Sequence, residues 1–359
     1  TSLGASMLVV GFIEGVAEAI ANITKVFSGV VSDWIRRRKL LAVIGYGLAA
    51  ATKPVFALAD TVGWVVAARF TDRVGKGIRG APRDALVADL APLHLRGASF
   101  GLRQSLDTVG AVAGPLAAIG LMALTANSFR TVFWIAAVPA AIALGILILG
   151  VHEPERPYAA LDRPPPHVAD IRRLGSAFWV VVGVSALLTL ARFSEAFLVL
   201  RAQDVGLTLA LVPLVMVVMN VMYSLAAWPA GVLADRFGRS GVLGTGIAFL
   251  IVADVILAAG ATIPLTLLGV VFWGLHMGFT QGIFATLVAD TAPVELRGSA
   301  FGIFNLTAGI AMLAASVIAG ALWNAYGPAA TFIAGAAFTT LALAGYAMVS
   351  RVGLLTRER

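Results

Sequence analysis

The chain has 359 residues, of which 59% are hydrophobic and only 13% are charged, and its formal net charge is +7 at neutral pH. A soluble domain carries about a quarter charged residues, so this composition excludes an ordinary soluble protein and predicts a polytopic membrane protein. The chain has no cysteine, which excludes disulfides, thiol catalysis and cysteine-bound metals, and its four histidines are scattered without metal-ligand spacing. We therefore expect neither a metal nor another cofactor.

Apolar segments of about 20 residues, long enough to span a bilayer, recur along the whole chain. No β-type alternation accompanies them, so the spans are predicted to be α-helices in an all-α fold. Eleven spans are predicted, at 6–31, 39–59, 62–91, 98–124, 130–150, 174–201, 208–233, 241–261, 263–290, 299–323 and 328–350.

One connection differs from the other short ones. Residues 151–173 are polar and rich in proline, and the three prolines at 164–166 preclude a helix there. We interpret this segment as a cytoplasmic linker between an N-terminal helical bundle, residues 1–150, and a C-terminal helical bundle, residues 174–359.

The distribution of lysine and arginine predicts the orientation in the membrane. Most basic residues outside the spans lie in alternate connections, namely residues 36–39, the linker, the C-terminus and the loops that hold Arg96 and Arg297. By the positive-inside rule these connections are cytoplasmic, which predicts a multi-pass protein of the cell inner (cytoplasmic) membrane with a cytoplasmic C-terminus. The net positive charge then reflects topology, so no nucleic-acid partner is expected.

Two phrases occur twice in the sequence. ADLAPLHLRGASFG (88–101) and ADTAPVELRGSAFG (289–302) are identical at nine of fourteen positions and lie 201 residues apart. GVVSDWIRRRK (29–39) matches GVLADRFGRSG (231–241) at an offset of 202. These matches predict that the two halves are parallel structural repeats.

These motifs resemble those of the major facilitator superfamily. GVLADRFGRS resembles the superfamily's glycine-x-x-x-aspartate motif with its basic turn, although the first copy has Ile35-Arg36 where the pattern has a glycine. The stretch GLRQSLDTVGAVAGPLAAIG (101–120) resembles its helix-five pattern, and ARFTDRVGKG (68–77) loosely resembles its helix-four pattern. The resemblance covers the whole chain and implies two pseudo-symmetric six-helix bundles that alternate access to a central cavity.

The repeat offset also predicts which helix of that fold begins the chain. At an offset of 202, Thr1 aligns with Gln203, just after the span 174–201. The N-terminal partner of that span would precede residue 1. We therefore expect the first helix of the fold to be absent, so that residues 1–150 hold helices 2–6 and residues 174–359 hold helices 7–12.

The third predicted span carries an unusual number of charges for a membrane helix. Its charged residues share an arc of roughly 120° on a helical projection, which must face protein or a water-filled cavity. They are Arg69, Asp72, Arg73, Lys76, Arg79 and Arg83. Their net positive charge would stabilise an anion, so Arg69, Arg73 and Lys76 are predicted to bind substrate. The alternative is a structural set of salt bridges, such as Arg69–Asp72 or a pair between Arg79 or Arg83 and Asp107.

The predicted C-terminal spans contribute neutral polar groups instead. Amide, phenol and imidazole groups would hydrogen-bond to the body of an organic substrate, although each is also a common helix-packing residue. The predicted binding residues of this type are Asn220, Tyr223, His276, Gln281 and Asn305.

Acidic residues within spans are candidates for proton coupling. A carboxyl group in a low-dielectric cavity can hold a proton near neutral pH, whereas a carboxylate that neutralises a nearby base does not titrate, and both alternatives stay open. The candidates are Glu14, Glu18, Asp72, Asp107 and Glu195.

The repeated motifs predict a gate. Glycines permit close helix contact, and an aspartate can cap the N-terminus of a neighbouring helix, while arginines can pair across the cytoplasmic seam. The alternative for the arginines is simple positive-inside anchoring. The predicted gating residues are Gly29, Asp33, Arg37, Gly231, Asp235, Arg239, Arg96, Arg297, Gly110, Gly114 and Pro115.

The leading hypothesis is a monomeric secondary transporter that moves a small anionic organic solute across the lipid bilayer by alternating access, coupled to protons. No nucleophile–base pair stands out, so an enzyme is not expected. One alternative is a proton-driven multidrug exporter, because the helix-five pattern resembles that of antiporters. Another is a transporter-like sensor that does not transport.

Overall fold

The computed structural model describes residues 7–126, 128–153, 168–208 and 211–351. Within these ranges all regular structure is helical, which confirms the predicted all-α fold. The helices are α1 Met7–Ile35, α2 Arg38–Leu58, α3 Val62–Leu90, α4 Arg96–Leu124, α5 Phe129–Gly150, α6 Ser176–Ala191, α7 Ala196–Asp204, α8 Val212–Phe237, α9 Arg239–Ala259, α10 Ile263–Thr291, α11 Arg297–Tyr326 and α12 Pro328–Arg351. Short 3-10 turns at Leu93–Leu95 and Val294–Leu296 precede α4 and α11.

Each predicted span coincides with a helix of the described chain, with one difference. The span predicted at 174–201 is divided into α6 and α7 by a non-helical segment, residues 192–195. Eight helical segments of the described chain, one of them formed by α6 and α7 together, are long and apolar enough to cross a membrane. The protein is therefore a multi-pass membrane protein.

The break between α6 and α7 contains neither proline nor glycine, and aromatic packing holds it. Phe193 is buried, and its ring centroid lies 5.3 Å from that of Phe197, 5.5 Å from that of Trp273 and 5.4 Å from that of Phe332. The Ser194 hydroxyl accepts a 3.3 Å hydrogen bond from the Ala196 N–H, which satisfies one free donor at the start of α7. Tertiary contacts therefore outweigh the local preference for a continuous helix.

The chain forms two compact units, each composed of three segments. The first unit comprises Thr1–Leu90, Pro115–Leu174 and Ala292–Leu306, and the second comprises Ala91–Gly114, Gly175–Thr291 and Thr307–Arg359. The first unit thus includes the start of α11, and the second includes the start of α4. The division into bundles at residues 151–173 stays a prediction.

In the first unit, α3 packs closely against both α1 and α2. A Cβ atom at Gly75 would lie 2.7 Å from the carbonyl oxygen of Gly45 on α2, and one at Gly77 would lie 2.7 Å from that of Ala21 on α1. Only glycine allows backbones to approach this closely, which is a common device of membrane helices. These two contacts fix the rotation of α3 about its axis.

In the second unit, α10 is the most buried helix, and glycines again line its contacts. A Cβ atom at Gly278 would lie 2.6 Å from the Cβ atom of Ala226 on α8, and one at Gly269 would lie 2.6 Å from Cγ of Leu257 on α9. Trp273 of α10 is fully buried. Small residues therefore bring α8 and α9 close to α10 on different sides of that helix.

Candidate functional site

Asp33, near the end of α1, caps the start of α11 in the first unit. Its carboxylate accepts hydrogen bonds of 2.9 Å from the Gly298 N–H and 2.6 Å from the Ser299 N–H, and a further 2.8 Å bond from the Ser299 hydroxyl. The first N–H groups of a helix have no partner within the helix, and the helix dipole favours negative charge beside them. A carboxylate from another helix therefore supplies the cap of α11.

Asp235, near the end of α8, caps the start of α4 in the second unit. Its carboxylate accepts hydrogen bonds of 2.9 Å from the Gly97 N–H and 2.8 Å from the Ala98 N–H. The predicted capping by both repeated aspartates is thereby confirmed. Their part in gating stays a prediction.

Glycine pairs allow the capped helices to approach. A Cβ atom at Gly97 would lie 2.6 Å from the carbonyl oxygen of Gly231 and 2.7 Å from Oδ1 of Asp235. In the first unit, a Cβ atom at Gly29 would collide with the carbonyl oxygen of Gly298. The repeated glycine and aspartate thus act together, because the close backbone contact brings each carboxylate to the helix terminus it caps.

An arginine–aspartate network surrounds the cap of the first unit. The fully buried Arg38 guanidinium lies 2.5 Å from the Asp89 carboxylate and 3.2 Å from that of Asp33, and it donates a 2.8 Å hydrogen bond to the Val294 carbonyl oxygen. Arg297 pairs with the other oxygen of Asp89 at 2.8 Å. Asp89 therefore links the start of α2 to the start of α11.

The second unit repeats this network. The Asp290 carboxylate pairs with Arg96 at 2.7 Å, and Arg239 pairs with the same carboxylate. Asp290 lies 201 residues after Asp89, and Arg297 lies 201 residues after Arg96. Three of the predicted gating arginines, Arg96, Arg239 and Arg297, therefore take part in buried or half-buried ion pairs beside the caps.

Arg37 does not occupy the position that the aligned repeats predicted. It is exposed in the turn before α2, and the neighbouring Arg38 makes the buried ion pairs. The cause is an extra residue in the first copy: α2 begins at Arg38 and α9 at Arg239, an offset of 201, whereas the preceding helices match at 202. Both turns contain a residue with positive φ, Arg36 with φ of 59° in the first copy and Gly238 with φ of 90° in the second.

The helix-five glycines make no close contact. Among the described residues, nothing lies within 4 Å of a Cβ atom built at Gly110 or Gly114. The helix α4 also continues through Pro115 to Leu124. In this conformation the three residues are exposed positions of α4, and their predicted gating role stays a prediction.

The charged arc of α3 lies between the two glycine contact lines of that helix. On a helical projection, Arg69, Arg73 and Lys76 fall within the arc of about 200° that runs from Gly75, which faces α2, to Gly77, which faces α1. All three side chains are half-buried. The contacts of α3 therefore hold the basic residues together on one side of the helix.

Two further lysines join this basic face. Lys53 of α2 pairs with Asp72 at 3.3 Å. The stem of Lys25 on α1 lies 3.2 Å from the Cβ position of Gly80, which belongs to the same arc of α3, and its ammonium donates a 3.3 Å hydrogen bond to Asn22. We call the set Lys25, Lys53, Arg69, Arg73 and Lys76 the basic site.

Asn305 follows a close contact between α11 and α1 in the first unit. A Cβ atom at Gly302, one turn before it on α11, would lie 3.0 Å from the Cα atom of Val26 on α1. Asn305 is half-buried, and its amide donates a 2.7 Å hydrogen bond to the Phe301 carbonyl oxygen, which leaves the amide oxygen as an acceptor. An uncharged polar group therefore lies one turn beyond the point where α11 meets the backbone of Lys25 and Val26.

The other end of the α3 arc is engaged within the first unit. The Arg79 guanidinium lies over the Tyr46 ring, 4.3 Å from its centroid. Arg83 pairs with Asp84 at 3.1 Å. These two arginines belong to the same arc of α3 and lie one and two turns beyond Lys76.

The second unit gathers a different polar group around Tyr223. The Tyr223 side chain is buried, and its hydroxyl has no hydrogen-bond partner among the described residues. Four charged groups interact electrostatically with this hydroxyl: Arg192 and Glu195 of the α6–α7 break, and Arg103 and Asp107 of α4. Arg103 and Asp107 form an ion pair at 2.7 Å. Two predicted proton-coupling residues, Asp107 and Glu195, thus lie near one predicted binding residue.

The remaining polar candidates of the second unit contact the backbone or lie at its helix interfaces. The Asn220 amide donates a 2.8 Å hydrogen bond to the Met216 carbonyl oxygen. The His276 ring is buried between α10 and α9, with Nδ1 2.8 Å from the Gly246 carbonyl oxygen, and Gln281 is half-buried. His276 thus lies at a helix interface, and its predicted role in binding stays a prediction.

Two of the predicted proton-coupling residues lie in the first part of α1, up to residue 19, where the structure describes the backbone only. The side chains of Glu14 and Glu18 are outside the described residues. Their roles stay predictions.

Sequence reasoning missed three residues of these clusters, Arg38, Lys53 and Asp89. Each carried a signal. Lys53 is a charge within an otherwise apolar span, Asp89 belongs to the repeated ADxAP phrase, and the change of offset from 202 to 201 indicated the extra residue that places Arg38.

Two proteins named as transporters are similar to this chain in sequence. The chain is 31% identical to an uncharacterized MFS-type transporter of Methanocaldococcus jannaschii over 343 residues, which cover 93% of this chain and 84% of that protein. It is 32% identical to the probable galactarate/D-glucarate transporter of Escherichia coli over 154 residues, 41% of this chain and 34% of that protein.

A solved structure shares the fold at low sequence identity. The fucose:proton symporter of Escherichia coli superimposes with a TM-score of 0.75 at 14% identity, covering 94% of this chain and 90% of that one. This likeness concerns the fold alone. The family model of the Major Facilitator Superfamily matches residues 1–200 and 182–354, and the chain belongs to that superfamily of transporters.

Proposed function

We propose that this secondary transporter moves a small anionic organic solute by alternating access and couples the movement to protons. Its family and its relatives are transporters rather than enzymes, so binding and conformational change, not bond chemistry, are the functions to explain. We place it in the cell inner membrane with a cytoplasmic C-terminus, as the distribution of lysine and arginine favours, and as a monomer.

The basic site is the observation that carries the anionic substrate. It gathers five cationic side chains from α1, α2 and α3, and the Asp72 carboxylate lies 3.3 Å from the Lys53 ammonium. Half-buried charges interact more strongly than charges in water because the surroundings screen them less. Cationic side chains gathered on one face lower the free energy of an anion bound between them.

The relationship to the galactarate/D-glucarate transporter supports the same class of substrate. Both of the acids in that protein's name are sugar dicarboxylates, which combine two carboxylates with hydroxyl groups. The lysines and arginines of the basic site suit carboxylates, and the amides of Asn22 and Asn305 suit hydroxyl groups. We therefore propose a hydroxylated organic acid as the substrate class.

The capped glycine contacts are the proposed gate. Asp33 and Asp235 each replace missing helix hydrogen bonds, and Arg38 and Arg239 neutralise the carboxylates beside them. Such contacts have two discrete states, made and broken, which is what a conformational switch requires. We propose that they break and re-form in each transport cycle.

Proton coupling is proposed for acidic residues within the spans. Glu195 and Asp107 act on the Tyr223 hydroxyl together with two arginines, so protonation of either acid changes the local charge balance. Asp72, Glu14 and Glu18 are further candidates.

Ligand binding to the purified protein tests the substrate class. We expect D-glucarate to raise the thermal unfolding temperature, whereas neutral myo-inositol and cationic ethidium leave it unchanged. Arg73→Gln should remove the D-glucarate effect. Arg130→Gln, a matched change at an exposed position at the start of α5, should preserve it.

The same assay separates the alternatives. Stabilisation by ethidium but not by D-glucarate would replace the proposal with the multidrug exporter. Stabilisation by D-glucarate without any uptake into proteoliposomes would favour the transporter-like sensor.

A further inference from the structure

Asp254 is a buried acid that none of the sites above uses. It lies on α9, five residues or about 7.5 Å before the helix ends at Ala259, and its relative exposure is 0%. Neither of its carboxylate oxygens has a hydrogen-bond partner in the described chain. An acid with these properties in a membrane-spanning helix requires an explanation, because such residues are rarely structural.

The walls around Asp254 come from α12 and from the break between α6 and α7. A Cβ atom at Gly335 of α12 would lie 2.8 Å from Oδ2 of Asp254 and 3.1 Å from Cε1 of Phe193. The carboxyl group therefore lies against the backbone of α12 at Gly335, and the edge of the Phe193 ring lies against the same position. All of these residues belong to the second unit.

A second polar atom beside the same ring is also without a partner. Trp273 of α10 packs on Phe193 with ring centroids 5.5 Å apart, and its fully buried Nε1–H has no acceptor among the described residues. Buried polar groups are nearly always hydrogen-bonded, so two exceptions against one aromatic ring mark a functional place rather than ordinary packing.

The titratable groups on the elements around α9 are engaged elsewhere. Near Asp254 in the chain's packing these are His276 on α10, Tyr346 on α12, Tyr223 on α8, Arg201 and Asp204 on α7, and Arg192 and Glu195 in the break. Asp290 of α10 and Asp235 and Arg236 of α8 lie with Arg239 at the start of α9, 15 residues before Asp254. His276 contacts the Gly246 carbonyl oxygen, and the Tyr346 hydroxyl donates a hydrogen bond to the Ser240 carbonyl oxygen. Arg201 donates hydrogen bonds to carbonyl oxygens at the end of α9 and also pairs with Asp204. Arg192 and Glu195 belong to the Tyr223 group.

The surroundings therefore favour the neutral acid. An ionised carboxylate without a cation or donors carries a desolvation cost of several kcal/mol or more, whereas the protonated form loses only a hydroxyl's hydrogen bonds. We propose that Asp254 holds a proton in this conformation and is a proton-coupling carboxyl of the transport cycle. This inference rests on the proposed proton-coupled transport.

Phe193 explains how release would be linked to the cycle. It lies in the non-helical segment between Arg192 and Glu195, so a rearrangement of that segment both moves the ring off Asp254 and alters the charges at Tyr223. When water reaches the Asp254 carboxyl group, the O–H bond of the acid breaks, the proton passes to a water molecule and a carboxylate remains. Reprotonation from water restores the neutral acid before the ring closes.

Infrared spectroscopy of the purified protein tests whether Asp254 is protonated, because a protonated carboxyl group has a C=O band distinct from those of a carboxylate. We expect a carboxylic acid C=O band at neutral pH that is missing in Asp254→Asn and retained in Asp60→Asn, a matched change in the exposed loop between α2 and α3. A parent band that Asp254→Asn leaves undiminished, or a parent protein without the band, would overturn the proposal.

A second variant keeps the test decisive if Asp254→Asn does not fold. Phe193→Ala uncovers the carboxyl group, so the band should disappear at a lower pH than in the parent protein. An unchanged pH dependence in Phe193→Ala would contradict the role of the ring as the cover.

Transport in proteoliposomes tests the coupling, with labelled D-glucarate as the probe. Asp254→Asn cannot release a proton, so uptake driven by a pH gradient should be lost while exchange of internal for external D-glucarate continues. Loss of both activities, or retention of both, would overturn the coupling role. If the parent protein does not transport D-glucarate, the proposed function fails on that substrate, and the infrared result still decides whether Asp254 holds a proton.

Discussion

The carboxylate of Asp33 accepts a 2.6 Å hydrogen bond from the backbone N–H of Ser299, which lies 266 residues further along the chain. The Asp235 carboxylate accepts its counterpart of 2.8 Å from the N–H of Ala98. The two contacts are related by the sequence repeat, and each lies within one compact unit. Any conformational cycle that moves α11 relative to α1 must break the first, and any that moves α4 relative to α8 must break the second.

Asp33→Asn should weaken the first cap. The amide keeps one oxygen acceptor, but it loses the negative charge that faces both the α11 terminus and the buried Arg38. A cost of about 1–3 kcal/mol to the capped conformation follows from leaving buried donors less well satisfied. The measurement is alkylation of a cysteine introduced at the buried Ala300, which is straightforward because the chain has no native cysteine.

Alkylation of that cysteine should accelerate in the Asp33→Asn background. The control is Asp60→Asn, in which an exposed loop residue undergoes the same change and the rate should match the parent. Equal rates in all three proteins would show that the cap does not hold α11 in place.

Arg38→Gln should destabilise the protein strongly. The guanidinium is fully buried and contacts the carboxylates of Asp33 and Asp89, so its removal leaves two buried acids without their common cation. Breaking a buried ion pair in this way costs about 3–5 kcal/mol. Thermal unfolding followed by tryptophan fluorescence would record the loss.

The neighbouring arginine provides the control for that change. Arg37 is exposed, and Arg37→Gln should leave the unfolding temperature close to that of the parent protein. If Arg37→Gln were the more damaging of the two variants, the register of the turn between α1 and α2 would be wrong.

Gly97→Ala should disturb the contact between α4 and α8. The added methyl group would lie 2.6 Å from the Gly231 carbonyl oxygen and 2.7 Å from the Asp235 carboxylate, so the helices must separate. Overpacking of this kind costs about 1–3 kcal/mol. The result is measured as a lower unfolding temperature.

The matched change on the same helix should act in the opposite direction. Gly110→Ala meets nothing within 4 Å among the described residues, and alanine favours a helix by about 0.5–1 kcal/mol over glycine. A parallel fall in stability in both variants would mean that the close contact at Gly97 has no special role.

Tyr223→Phe should affect the binding of D-glucarate without lowering the stability of the ligand-free protein. The hydroxyl is buried without a partner among the described residues, so its removal should leave the unfolding temperature of the ligand-free protein equal or higher. If the hydroxyl contacts the solute, the thermal shift produced by D-glucarate should shrink. A ligand-free protein destabilised by the change would instead indicate a structural hydrogen bond at Tyr223.

Hydropathy predicted the helices well because a bilayer leaves few alternatives for an apolar segment. The predicted span at 263–290 corresponds to α10 at Ile263–Thr291, and that at 328–350 corresponds to α12 at Pro328–Arg351. The break at residues 192–195 was not predictable, since it contains no proline or glycine and depends on aromatic partners from other helices.

The site was less predictable than the fold for a physical reason. A helical projection places Arg73 and Lys76 on one face, but only the packing of Gly75 and Gly77 shows how that face is oriented within its unit. Similarly, Asp254 is visible in the sequence as a charge in an apolar span, and only the structure shows that no partner among the described residues reaches it. Periodicity reports neighbours on one helix and is silent on neighbours from others.

The most direct test of the account is uptake of labelled D-glucarate into proteoliposomes that contain the parent protein, Arg73→Gln or Arg130→Gln. The account predicts saturable uptake by the parent protein and by Arg130→Gln. It predicts loss of uptake in Arg73→Gln, because Arg73 belongs to the basic site that holds the anion. Uptake by Arg73→Gln equal to that of the parent would contradict the account.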